Sequence, residues 1–414
     1  MRTPTYWKLI LGGLALAAVA TYGYRTMTTP QWTTVTTGFM LNDKPYGGGA
    51  FRFRESELMT LKVADPIVTF KRAEQLKDPL VAEPTEPWMD GTLELLNRST
   101  VSFLRGSLDG EMCRFFQQPA QNAAWWYSTD WSTIYIATDW MNYKTADPKK
   151  GPAPHIATLW RSTDGGKTWA QLKWPEDNNI SDLRFLDSQR GYAIGWGPHI
   201  WRTVDGGQTW QEIALPPMAT DYRLPRKIFD AVDLGPDGTL RVAYYVGMLG
   251  DVSLSSVVYR LRWGDTHFEP DVVLHNQVVK QLVSANEPPR YAYSVYALSR
   301  LGPPRNYSDH NDKGNRTGSI SSWPSDRNPT VEQLRAFNER YNVGSLSVGK
   351  RGVMLVYATD SSRAGAPHTI TFYSENAGKS WKDIDDGMMQ GGWFDSLTNT
   401  QYALYAYTLR KRQF

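Results

Sequence analysis

Residues 160–169 read WRSTDGGKTW, and residues 201–210, starting 41 positions later, read WRTVDGGQTW. A ten-residue phrase written twice at that distance is the mark of a repeated supersecondary unit, and periodicity of 20–50 residues decides a fold before any local motif does. The segment 181–217, SDLRFLDSQRGYAIGWGPHIWRTVDGGQTWQEIALPP, shows the unit. It parses into short apolar runs at Leu183–Leu186, Gly191–Gly195, Ile200–Thr203 and Trp210–Ala214, each bounded by turn residues. Four antiparallel strands within a period of about 40–50 residues form one blade of a β-propeller.

Reduced to its constant residues, the phrase is Ser/Thr-x-Asp-x-Gly-x-Thr-Trp. Ser162, Asp164, Gly166, Thr168 and Trp169 match it, as do Thr203, Asp205, Gly207, Thr209 and Trp210. A third copy, YSENAGKSW, brings Ser374, Asn376, Gly378, Ser380 and Trp381, and its start lies 171 residues beyond the second, close to four periods. Each residue type suits a tight third-to-fourth-strand turn. Asp and Asn accept hydrogen bonds from backbone N–H groups two residues on, and glycine adopts positive φ without a steric penalty. The tryptophan then returns into the outer strand over the blade's core. A metal loop is disfavoured, because each copy supplies one carboxylate at most.

These residues resemble the Asp-box, or bacterial neuraminidase repeat, of sialidases, sortilin-type receptors and photosystem II assembly-factor propellers. The stretch GYAIGWGPHIWRTVDGGQTW is most similar to the last group. The resemblance implies an all-β, single-domain propeller in which the box is structural and remote from any catalytic centre.

The same four-strand grammar extends along 124–175, 228–273, 277–322 and 343–384, with one or two further blades in 45–120. Residues 392–414 supply three strands and stop. The missing outer strand is sought at the other end, in PQWTTVTT (30–37), so that Trp32–Thr36 closes the ring and hides two sheet edges. Seven blades are expected, with six or eight as alternatives. The segment NPTVEQLRAFNERYN (328–342), part of a large insertion at 299–342, has Asn328 and Pro329 as start signals and Val331, Leu334, Phe337 and Tyr341 at helical spacing, which predicts a short amphipathic helix.

The N-terminus carries Arg2 and Lys8, then the apolar run LILGGLALAAVA (9–20) ending in Ala18-Val19-Ala20. That is the pattern of a secretory signal over residues 1–20, followed by a propeller over 30–414. An uncleaved anchor is the alternative, although the run is short of the roughly 20 residues a membrane span needs. Cys113 is the only cysteine, so no internal disulfide is available, and a bacterial periplasmic location is expected. A formal charge of +3, or +1 without the first 20 residues, lacks the basic excess of a nucleic-acid binder.

The long polar stretches fall at second-to-third turns, on the face opposite the boxes: 140–155, 246–255, 299–319 and 360–368. Loops on a rigid scaffold carry function disproportionately, so this face is the expected protein-binding surface. Its candidates are Tyr143, Lys149 and Lys150; Trp196 and His199; Arg305, Tyr307, His310 and Arg316; and Arg363. GPAPH and AGAPH place His155 and His368 before third strands, an equivalence that repeat geometry explains without ligation.

The sialidase resemblance calls for an Arg-Ile-Pro motif that this sequence lacks; FRFRES (51–56) reads as a strand. Glu55, Glu57, Asp90 and Asp130 are weak candidates for a glycosidase pair. No nucleophile elbow or zinc-binding His-Glu-x-x-His occurs, and no metal or cofactor is expected. The sequence thus points to an exported, non-enzymatic, monomeric propeller. Its expected partner is a protein, either a subunit of a membrane complex or a secreted toxin that it neutralises. A glycoside hydrolase or carbohydrate-binding protein of the sialidase superfamily is the alternative.

Overall fold

The computed structural model describes residues 30–37, 50–54, 57–64, 100–107, 112–120, 122–141, 155–175, 180–195, 199–216, 229–246, 255–287, 291–301, 318–325, 329–360, 362, 368–387, 389, 391–405 and 408–414. These residues form seven four-stranded antiparallel sheets, each ordered first to fourth strand along the chain except the last. Blade one comprises Ala50–Arg54, Glu57–Ala64, Thr100–Ser107 and Met112–Pro119; blade two, Asn122–Tyr127, Ile134–Met141, His155–Ser162 and Ala170–Leu172. Blade three is Ile180–Phe185, Gly191–Gly195, Ile200–Thr203 and Gln211–Ile213; blade four, Ala231–Leu234, Leu240–Val246, Ser255–Leu261 and Glu269–His275. Blade five is Gln277–Glu287, Tyr291–Leu301, Gly318–Pro324 and Glu332–Ala336; blade six, Tyr341–Val348, Met354–Asp360, His368–Ser374 and Lys382–Gly387. The protein is a seven-bladed β-propeller.

Blade seven takes Gly391–Asp395, Thr400–Tyr405 and Thr408–Gln413 from the C-terminus and Thr33–Thr37 from the N-terminal part of the chain. Thr33 lies opposite Lys411 and Thr37 opposite Thr408. The closure expected at Trp32–Thr36 is present, one residue further on. Trp32 Nε1 donates to Asp386 Oδ1 of blade six at 3.2 Å, and Arg412 grips the same carboxylate through Nη1 and Nη2 at 2.9 and 2.8 Å. Both charged side chains are fully buried.

The cores lie between blades, where alternate residues of neighbouring sheets interdigitate. Met59, Phe103 and Phe116 of blade one pack with Ile134, Ile136 and Trp169 of blade two. Tyr192 and Ile213 of blade three pack with Val242 and Leu261 of blade four. A sheet that is apolar on both faces needs two neighbours, and a ring supplies them without ends.

One expectation fails. Residues 329–342 do not form a helix; Glu332–Ala336 is a strand that pairs with Gly318–Pro324, Ala336 opposite Ser319 and Arg335 opposite Ile320. A five-residue apolar spacing fits either state, and the blade's unpaired third strand decided between them. The region 45–120, expected to hold one or two blades, supplies one among the described residues; of its runs, Ile67–Phe70 lies outside them. Residues 65–99 connect the second and third strands of that blade, a connection longer than any recognised from the sequence. Cys113 sits in a strand opposite Arg105, as expected.

Candidate functional site

The three boxes are third-to-fourth-strand turns of blades two, three and six. In each, the first hydroxyl accepts the glycine N–H four residues on: Gly166 N to Ser162 Oγ at 2.8 Å, Gly207 N to Thr203 Oγ1 at 2.8 Å, Gly378 N to Ser374 Oγ at 2.9 Å. The Asp or Asn oxygen accepts the N–H four residues on, from Thr168, Thr209 and Ser380, each at 2.9 Å. That corrects the expected two-residue reach, which belongs to the hydroxyl: Ser162 Oγ takes Asp164 N at 3.4 Å. The tryptophan indoles Trp169, Trp210 and Trp381 donate to the glycine carbonyls of Gly166, Gly207 and Gly378.

Burial works against ionisation of Asp164. The bonds from Thr168, Ser162 and Lys167 outweigh it and hold the carboxyl down at about 2. Asp205 is lowered by the same balance. Each donor is spent inside the turn, so the boxes are structural.

The sequence pattern omitted the arginine of the repeated phrase, and it has a job. Arg202 Nη1 donates to the Asp265 carbonyl of blade four at 2.9 Å, in the turn where that blade's box has decayed. Arg161 Nη2 reaches the Ser188 carbonyl of blade three at 3.4 Å, and Arg105 Nη1 of blade one reaches the Gly165 carbonyl of blade two at 2.7 Å. The third strands of blades one, two and three therefore each stitch a turn of the next blade. The signal was in view, since both copies begin Trp-Arg.

On the opposite face, the five longer of the seven second-to-third connections are 65–99, 142–154, 247–254, 302–317 and 361–367. Tyr143, Lys149, Lys150, Trp196, Arg305, Tyr307, His310, Arg316 and Arg363 all lie outside the described residues. His199 is described. It immediately precedes the third strand of blade three, its Nδ1 2.8 Å from Glu212 Oε1 and its ring stacked on Trp201 at 5.2 Å. His368 takes the same place in blade six, Nδ1 3.5 Å from Asp385 Oδ1. The motif Pro-His therefore recurs three times, at His155, His199 and His368, where a third strand starts.

The rim beneath these connections is firmly built. Asp360, buried at the end of its strand, accepts Nε of Arg340 at 2.9 Å and the N–H and hydroxyl of Ser362 at 2.9 and 2.7 Å. The Arg340 bond, followed by those from Ser362, keeps its carboxyl far below the usual range. Around the base of 302–317, desolvation by its neighbours and then the Arg300 guanidinium lower the Lys280 ammonium.

Of the glycosidase candidates, Glu55 and Asp90 lie outside the described residues, and only the backbone of Glu57 is described, at the start of a strand. Asp130 is in the first-to-second turn of blade two. Bonds from Ser128, then Ser132, hold its carboxyl at about 2, so it is no proton donor at neutral pH. Among the described residues, no group of three or more His, Cys, Asp or Glu side chains is placed to hold a metal ion.

No curated protein matches the chain. Solved structures that resemble it share little sequence with it. YCF48 bound to a D1 peptide is 12% identical, covering 77% of this chain and 88% of that one, with a TM-score of 0.45. YCF48 from Cyanidioschyzon merolae is 13% identical over 77% and 92%, with a TM-score of 0.44. A GH74 xyloglucanase from Xanthomonas campestris is 12% identical over 92% of this chain and 53% of its own, with a TM-score of 0.45. The family model of the photosynthesis system II assembly factor YCF48 matches residues 156–233. The protein is therefore a seven-bladed Asp-box propeller, similar to the YCF48 assembly factor through the stretch that carries its two best boxes.

Proposed function

We propose that the protein is an exported, non-enzymatic propeller that binds another protein through the face opposite its boxes. One observation carries the reading: every connection of more than seven residues between described strands is a second-to-third turn or a link between blades, and so lies on that face, while the box face is closed by shorter turns. A rigid ring with variable loops on one rim is a binding scaffold. The similarity to YCF48 over 156–233 supports an assembly-factor role, with a membrane-complex subunit as client. A secreted toxin is the alternative client, for which loops specific to one partner are equally suited.

The hydrophobic segment 9–20 supports export. A C-terminal reporter fusion tests it: periplasmic signal is expected from the full chain, and cytoplasmic signal after deletion of residues 1–20. Full-length protein found in the cytosol overturns this part of the proposal.

A further inference from the structure

The direction of the closing strand fixes where the chain enters the ring. Thr37 lies opposite Thr408, beside the second-to-third turn of blade seven, and Thr33 lies opposite Lys411. From Lys411 the third strand runs on to that blade's first-to-second turn: Gln413 pairs with Thr400, and Phe414 N–H donates to the Asn399 carbonyl at 3.0 Å. The strand Thr33–Thr37 therefore starts on the box face and ends on the loop-bearing face. Gln31, exposed just before it, borders the same recess of the box face as Ser396 and Leu397. The chain that precedes residue 31 is thus joined to the ring from the box side, at the outer edge of blade seven.

The sequence joined there has the make-up of a membrane span. The apolar run 9–20 is short by itself, but its flanks extend it. From Tyr6 to Tyr24 the chain runs 19 residues with one charge, Lys8, close to one end. At 1.5 Å per residue that covers about 28 Å, against the roughly 30 Å of a bilayer's hydrocarbon core. Tyr6 and Trp7 stand at one end and Tyr22 and Tyr24 at the other, the placing of interfacial aromatic belts. A lysine near the end of a span snorkels to the headgroups. Arg2 and Lys8 mark the first end as cytoplasmic, so the ring follows on the far side.

The tether between the two is short. Residues 25–30 separate Tyr24 from Gln31, and seven peptide steps reach at most about 25 Å. A blade is about 23 Å tall, from the seven residues of Met354–Asp360 at roughly 3.3 Å each. Turning the ring over would use the whole tether merely to pass its edge. It would leave no room between ring and bilayer for the connections 142–154 and 302–317. We infer that residues 6–24 are retained as a membrane anchor and hold the ring with its box face towards the bilayer. The loop-bearing face then points away from the membrane, and the client is met from the aqueous side. This rests on the export proposed above and adds an anchor and an orientation to it.

Two measurements test it. In cells, the full-length chain should stay in the membrane pellet after an alkaline carbonate wash. A chain with residues 1–24 replaced by a cleavable signal should be soluble in the periplasm. Release of the full chain by the wash, or loss of its first 20 residues, overturns the anchor even where the reporter fusion is periplasmic; a cytosolic reporter overturns export and anchor together.

For the orientation, the full chain is reconstituted in vesicles of phosphatidylethanolamine and phosphatidylglycerol that carry an acceptor lipid. A donor dye is attached through Lys379→Cys, in the box turn of blade six, or through Glu339→Cys, in the link that enters the same blade from the opposite face; both positions are exposed. Wild-type chain labelled in parallel gives the background from Cys113. Energy transfer should be stronger from the dye at position 379 than from the dye at position 339. Equal or reversed transfer overturns the orientation.

Discussion

Leu334 of blade five fills the space where a side chain on Gly378 of blade six would begin: its Cδ1 is 2.6 Å from the position a Cβ would take. The other two boxes repeat the relationship. Phe103 of blade one sits 2.3 Å from the same point on Gly166, and Leu172 of blade two 2.9 Å from that on Gly207. Each box glycine thus receives an apolar side chain from the preceding blade, while its positive φ closes the turn. The box is a joint between blades as well as a turn within one.

Gly378→Ala should therefore destabilise the fold by roughly 2–4 kcal/mol, combining left-handed backbone strain with overpacking. Adding Leu334→Ala relieves only the clash. Urea denaturation should show the double variant less destabilised than the sum of the singles. Strict additivity would mean that the two residues do not share a joint.

The box carboxylates give the protein an acid-sensitive term. Asp164 is held at about 2 when folded, against 3.8 for an unperturbed carboxyl. Its contribution is present above about pH 4 and is lost as pH falls towards 2, because a depressed folded-state pKa stabilises only the ionised form. Melting temperatures followed from pH 5 to pH 2, over about three units, should fall less steeply in Asp164→Asn than in the wild type. At neutral pH, Asp205→Ala should cost about 1 kcal/mol through loss of the bonds it accepts from Thr203, Gln208 and Thr209; an unchanged melt would show that the box does not support its blade.

Asp233 has the opposite sign. Burial raises its carboxyl, against the hydrogen bond from Ser284 and the pull of Arg184 and Arg241. A raised folded-state pKa costs nothing below the unfolded value and grows as pH rises above it. Asp233→Asn should therefore melt higher than wild type at pH 7, and the gap should vanish below about pH 4. Equal melts across this range would contradict the assignment.

Ring closure rests on a buried pair. Asp386→Ala strands the Arg412 guanidinium without its carboxylate and should cost about 3–5 kcal/mol, part of which Arg412→Leu should restore in the double variant. Chemical denaturation that leaves Asp386→Ala within 1 kcal/mol of wild type, well short of about 3, would mean that this clasp does not hold the ring.

The seven blades, the closing strand and the box turns were legible in the sequence because a repeat states its period directly. Blade five was harder. Its fourth strand has no box before it, and Leu334 and Phe337 at helical spacing gave the wrong period for a five-residue strand. The hydrogen bonds of Asp164 and Asp205 were misplaced by two residues, since residue types imply a turn but not its ladder. The packing of the Arg52 guanidinium against the Tyr127 and Trp393 rings carried no signal at all. These residues come from the first strands of three blades, far apart in sequence, and only the closed ring brings them together.

We propose that the loop-bearing face binds a protein partner. The direct test is affinity capture by the chain from its native extract, compared with a chain in which residues 303–316 are replaced by a short Gly-Ser turn. Loop-closure entropy changes slowly with length, so the replacement should melt within a few degrees of wild type. It should lose the partner, while Lys167→Glu with Gln208→Glu on the box face should keep it. A loop replacement that captures the partner normally, with capture abolished by the box-face charges, would place the working surface on the other side of the ring.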